Sequence, residues 1–90
     1  MPRVFLTGEQ RRAARIKDGD DAFRAALTAR LAATQQTQRE LAGRIDIDPA
    51  RFTRIKQSPG TLRLEVFRDI AHATGMTDEM ILAVVKGRRL

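Results

Sequence analysis

The sequence predicts an all-α fold, a compact bundle of about five short helices with a candidate extra helix at its N-terminus. Three observations lead there. No stretch alternates apolar and polar residues long enough to make a strand, and apolar residues recur at helical spacing from Phe23 to Val85. Helix-capping residues precede most of these runs, and glycine follows the last two. With 42% hydrophobic residues in 90, the chain has enough apolar material for one core and too little length for two.

The elements follow in order. After an arm that ends near Leu6, a helix starts at Thr7 or Gly8 and runs through Glu9–Lys17, with Asp18-Gly19-Asp20 expected to break it. Phe5 and Leu6 either pack on the body or belong to the arm. Asp20 or Asp21 caps a second helix to about Ala33, in which Phe23, Leu27 and Leu31 recur at i, i+4, i+8 with Ala26 beside them. Residues 1–20 therefore read as arm and N-terminal helix, and 21–87 as the folded domain. Thr37 and Glu40 form a capping-box pattern for a third helix with Leu41, Ala42 and Ile45 on its apolar face. Asp48-Pro49 is an N-cap followed by proline at the first helical position, so a fourth helix runs from Pro49 to Lys56 and stops near Ser58-Pro59-Gly60. A fifth spans roughly Arg63–Thr74, with Leu64, Phe67, Ile70 and Ala71 inward and Gly75 as terminator. Thr77 caps a sixth carrying Met80, Ile81, Val84 and Val85, and Gly87 ends it.

Charge and composition narrow the function. Of the net +6, residues 1–22 carry +1, residues 23–60 carry +4 and residues 61–90 carry +1. A basic excess confined to the middle of the chain is the footprint of a polyanion partner. There is no cysteine, hence no disulfide and no thiolate chemistry. The N-terminus lacks the apolar core of a secretory signal, and no apolar run is long enough to span a membrane, so a cytoplasmic protein without membrane association is expected. Neither a glycine-rich phosphate loop nor a paired nucleophile and base is present. His72, the one histidine, reads as a structural residue on a helix. No enzyme, cofactor or metal site is expected.

The third and fourth helices, separated by a turn of only a few residues, have the spacing of a helix-turn-helix. Ala42 supplies the small residue that lets the two helices cross closely. Leu41, Ile45, Ile47, Phe52 and Ile55 fall where their shared core would lie. Asp46 stands at the turn position that usually needs glycine for a positive φ, which aspartate tolerates better than most residues. With Phe52 and Ile55 inward, the helical wheel turns Ala50, Thr53, Arg54 and Gln57 outward.

The run from Thr37-Gln38-Arg39-Glu40-Leu41-Ala42 through Lys56 resembles the lambda-repressor-like family of phage Cro proteins, phage repressors and Xre-type regulators. It aligns without a gap from Thr37 to Ser58, and the flanking helices extend the likeness from about Phe23 to Ile81, roughly two-thirds of the chain. Residues 1–20 lie outside it, and Asp46 departs from its turn glycine. The resemblance implies that the helix from Pro49 to Lys56 enters the major groove of double-stranded DNA. Base contacts would then come from Pro49, Ala50, Thr53 and Arg54. Arg54 is suited to guanine, and Thr53 or Ala50 to a thymine methyl. Gln38, Arg39, Arg51, Lys56 and Gln57 would meet phosphates, which set register without reading sequence, and Arg44 meets phosphate or solvent. The implied function is a transcriptional repressor acting as a homodimer on a pseudo-palindromic operator. Leu82, Val84 and Val85 of the last helix either form the dimer surface or complete the monomer core. Two alternatives stand beside it: an antitoxin that uses residues 1–22 to bind its toxin and represses its own operon, and a protein-interaction module that keeps the fold. In both, the partner is a protein such as a toxin or an antirepressor.

Overall fold

The computed structural model describes residues 7–90, so Phe5 and Leu6 lie outside the described residues. Five α-helices and one 3-10 turn make up the chain, with no strand among the described residues: α1 (Gly8–Thr34), α2 (Gln38–Arg44), α3 (Pro49–Gln57), the 3-10 turn Pro59–Thr61, α4 (Leu64–Thr74) and α5 (Asp78–Lys86). It is a small all-α bundle built around one long helix.

That helix corrects the expectation of a break at Asp18-Gly19-Asp20. Residues 8–34 form one continuous rod about 40 Å long at the α-helical rise. It is started by a full capping box in which Thr7 Oγ1 accepts from the Gln10 N–H at 3.1 Å and Gln10 Oε1 accepts from the Thr7 N–H at 2.8 Å. Glycine permits a break but does not impose one. Gly19 is buried, and a Cβ there would come within 3.2 Å of Gly87 Cα and of the Val84 carbonyl oxygen. The missing side chain is what lets α1 and the end of α5 touch backbone to backbone. A glycine inside a helix costs about 1 kcal/mol against alanine, and this contact offsets it.

The remaining helix starts follow the sequence closely. Thr37 Oγ1 accepts from the Glu40 N–H at 3.1 Å, Asp48 Oδ1 from the Ala50 N–H at 2.7 Å and Thr77 Oγ1 from the Met80 N–H at 3.2 Å. Four helix ends share one device: a left-handed residue followed by an N–H that reaches back five residues to a carbonyl. Gln35 (φ 55), Asp46 (φ 57), Gly75 (φ 69) and Gly87 (φ 68) are the left-handed residues. The closing bonds run from Gln36 to Leu31, Ile47 to Ala42, Met76 to Ala71 and Arg88 to Ala83, at 2.8–3.0 Å.

The core is centred on Phe23 and Leu27 of α1, which are fully buried with Ala26. Leu41 and Ala42 of α2, Ile47 of the turn and Phe52 and Ile55 of α3 close it on one side. Phe67, Ile70, Ala71 and Met76 close it on the other, with the Phe23 and Phe67 rings 6.2 Å apart. Leu31, Ile45, Met80, Ile81 and Val84 pack around the edge. Leu64, expected inward, is instead 58% exposed. It occupies the first turn of α4, at the rim of a groove it shares with Val85, and among the described residues no other element covers it there. On α5, Val84 joins the core while Leu82 and Val85 are 47% and 64% exposed. Among the described residues no helix is long and apolar enough to cross a membrane.

Gly87 is the tightest point of the bundle. A Cβ at its φ of +68 would lie 2.5 Å from the Arg15 carbonyl oxygen and 2.9 Å from Arg15 Cβ, both parts of a helix that cannot move aside. We predict that Gly87→Ala lowers unfolding free energy by about 3 kcal/mol through left-handed strain and overpacking. Gly60→Ala, where nothing lies within 4 Å, should change it by less than about 0.5 kcal/mol. Urea denaturation of both variants measures this, and equal effects would show that the α1–α5 approach is not the constraint.

Candidate nucleic-acid interface

The outward face of α3 is set from within. Phe52 and Ile55 are buried, which turns Pro49, Ala50, Arg51, Thr53, Arg54 and Gln57 into solvent. The Asp48–Pro49 start fixes where this face begins, since Asp48 is engaged by the Ala50 N–H and proline needs no partner for a missing donor. No acidic residue lies within α3.

A chain of hydrogen bonds ties this face to the first turn of α2. Lys56 Nζ donates to Gln38 Oε1 at 3.0 Å, Gln38 Nε2 donates to Thr53 Oγ1 at 3.4 Å, and the Thr53 hydroxyl donates to the Pro49 carbonyl at 3.1 Å. Lysine is only a donor, so it must meet the amide oxygen and thereby turns the Gln38 NH₂ toward Thr53. The second amide hydrogen of Gln38 and the remaining hydrogens of Lys56 have no partner among the described residues. The turn beneath it is compact. Asp46 takes the left-handed conformation in place of glycine, at a cost of about 1 kcal/mol. Ala42, almost fully buried, leaves room for α3 to pass close to α2.

The expected contact residues divide into separate groups. Gln38, Thr53, Lys56 and Gln57 line one shallow cleft, joined there by Arg24 of α1. Arg51 and Arg54 line a second pocket on the other flank of α3, where Arg63 adds a third guanidinium beside Thr61 and Leu62. Pro49 and Ala50 stand at the exposed start of α3, and Arg39 is exposed on α2. Arg39, Arg44, Arg51 and Arg54 have no carboxylate partner among the described residues. The arrangement offers many hydrogen-bond donors around a helix. Among the described residues no cluster of three His, Cys, Asp or Glu could hold a metal ion, and His72 is exposed.

Arg24 is the residue that sequence reasoning missed. Its Nε donates to the Lys56 carbonyl at 2.7 Å and its Nη2 to the Gln57 carbonyl at 2.9 Å, while Asp21 Oδ1 holds Nη1 at 3.2 Å. The guanidinium thus satisfies the last carbonyls of α3 and opposes the negative end of its dipole. Nothing in the sequence marks it, because its partners are backbone atoms 32 and 33 residues away. Its removal has a local readout. Arg24→Ala should cost about 1–2 kcal/mol, the worth of charge-assisted bonds at a partly exposed site. Amide exchange should quicken in the last turn of α3 while α4 and α5 keep their protection. Unchanged exchange at Lys56–Ser58 would mean that the cap does not hold α3.

The chain has no significant match to a family model, to a curated protein or to a solved structure, so this interface is defined by its own geometry and charge.

Proposed function

We propose that this chain is a sequence-specific DNA-binding transcriptional regulator of the lambda-repressor-like type, which lays α3 in the major groove and represses by excluding polymerase. The observation that carries the reading is the Lys56–Gln38–Thr53 chain of hydrogen bonds. It couples the first turn of α2 to the outward face of a short helix that has no acidic residue and is flanked by exposed arginines. A base-reading helix needs small and donor side chains facing out, held rigidly, with cations beside them for phosphate. Ala50, Thr53 and Arg54 provide the first, and Arg39, Arg51 and Lys56 the second. Such work is cytoplasmic and needs no cofactor.

The reading includes a homodimer on a pseudo-palindromic operator. One module this small buries little surface, and a second half-site multiplies affinity through effective concentration. Leu82 and Val85, three residues apart on α5 and about half or more exposed, supply an apolar face for the second copy. A second reading is favoured by the exposed run of α1 from Gly8 to Lys17, which suits an antitoxin that holds a toxin there while α3 represses.

Two measurements test the proposal. Against a panel of genomic duplexes that includes the chain's own upstream region, Arg54→Ala should lose about 1–3 kcal/mol at its preferred sequence and relax the preference at one position. Arg39→Ala should weaken all duplexes alike and make the salt dependence shallower by about one phosphate. A folded protein that binds no duplex at low salt would end the DNA reading. For the dimer, Leu82→Lys with Val85→Lys should give a monomer in sedimentation equilibrium and lower affinity for a two-half-site duplex at least tenfold, by about 1.4 kcal/mol or more. A wild-type monomer at every concentration on and off DNA would exclude it.

A further inference from the structure

The N-terminal part of α1 is covered by little besides the end of α5, where Gly87 meets the backbone of Arg15. Every residue from Gly8 to Lys17 is exposed, so about 15 Å of helix projects past the core. This overhang carries Arg11, Arg12, Arg15 and Lys17 against a single acid, Glu9. Gly87 packs against the backbone of Arg15 and so brings Lys86, Arg88 and Arg89 to its base. Arg89 is held by Asp18 at 3.5 Å and Lys17 by Asp21 at 3.6 Å. Arg12, Arg15, Lys86 and Arg88 have no carboxylate within ion-pair distance among the described residues. The collar borders a cleft whose far wall is Pro59 and Gly60, the turn that directly follows α3, and Asp20 contributes its one carboxylate. Lys17 lies two turns before Arg24 on the same face of α1, and Arg24 grips the end of α3.

The charge is hidden in the sequence because Asp18, Asp20 and Asp21 balance the first segment and Asp78 and Glu79 the last. In space the cations of both segments meet. A protein partner is held by an apolar or aromatic centre inside a polar rim. Two exposed apolar side chains border this collar, Ile16 and Val85, and the dimer reading gives Val85 to the second copy. A row of unpaired cations with Ile16 as its one remaining apolar neighbour fits a polyanion with a regular repeat of charge, and duplex DNA carries one phosphate per about 1.7 Å of axis.

We propose that the collar of Arg12, Arg15, Lys86 and Arg88 holds the DNA backbone beyond the base pairs met by α3. This rests on the reading of α3 as the groove helix. It lengthens the footprint of each protomer by about four base pairs, the distance that 15 Å of overhang covers along B-DNA. The contacts carry no base preference. They raise affinity for any duplex long enough to reach them.

The test compares salt slopes on mixed-sequence duplexes of about 12 and about 30 base pairs for wild type, an Arg12→Gln/Arg15→Gln variant and a Lys86→Gln/Arg88→Gln variant. These side chains are exposed, so circular dichroism should show both variants folded. On the long duplex each variant should show a log K against log salt slope shallower by about 2, the loss of two phosphate contacts. On the short duplex both should match wild type. Wild-type slopes in both variants on the long duplex, with binding intact, would overturn the proposal alone and leave the collar to an acidic protein. Equal loss on both duplexes would place the collar inside the span of α3 and also overturn it. No binding of wild type to either duplex at low salt would remove the groove reading, and the proposal with it.

Discussion

The bundle depends on the burial of one stripe of α1, from Ala22 to Leu27. Phe23, Ala26 and Leu27 are fully buried, and each of the short helices finds its apolar partner on or beside them. None of α2, α3 or α5 is long enough to be stable alone, since isolated helices under about 12–15 residues are marginal in water. Their helicity is therefore a consequence of docking in the bundle, α5 on α1 and α2 between α3 and α4. The close approach at Gly19 and Gly87 is the second half of the same constraint. It lets the end of α5 lie on the backbone of α1, with no side chain between them.

Polar groups finish what the stripe begins. α1 supplies two arginines, 24 and 30, that point at the C-terminal ends of different helices. Arg24 bonds the last carbonyls of α3, and Arg30 Nε bonds the Thr74 carbonyl of α4 at 2.9 Å. Each guanidinium meets backbone groups that no intrahelical donor can reach. The two side chains are six residues apart on one rigid rod, so they also fix the spacing of the helix ends they hold. The orientation of α3 is thus determined at three places: by Phe52 and Ile55 beneath it, by the Asp46 turn before it and by Arg24 behind it.

That support bears on function. A short helix offered to a nucleic acid must present its side chains without rearrangement, because ordering them on binding subtracts from affinity. Here Thr53 and Lys56 are already tied to Gln38 on one flank, and Arg51 and Arg54 stand on the other. The electrostatics are likewise divided. Arg51 and Arg54 of α3 have no carboxylate partner among the described residues, while acidic groups near them are occupied: Asp48 by a backbone N–H, Asp21 by Arg24 and Glu40 by the hydroxyl of Thr37 at 3.1 Å. Asp46 is the exception, kept by the demand for a positive φ at the turn.

The sequence by itself determined the helical class, the capped starts at Thr37, Asp48 and Thr77, the left-handed turn at Asp46 and the outward row on α3. These are local: each is set by a residue's own conformational preferences or by a period of 3.6 within one segment. Phe52 and Ile55 needed no other helix to define which side of α3 faces in. Only the tertiary structure decided that α1 continues through Gly19, because the reason for that glycine is the backbone of Gly87, far along the chain. The same holds for Arg24 as the clamp on α3 and for the meeting of Arg12 and Arg15 with Lys86 and Arg88. Each depends on a partner distant in sequence, and neither local propensity nor periodicity carries information about which distant backbone will arrive.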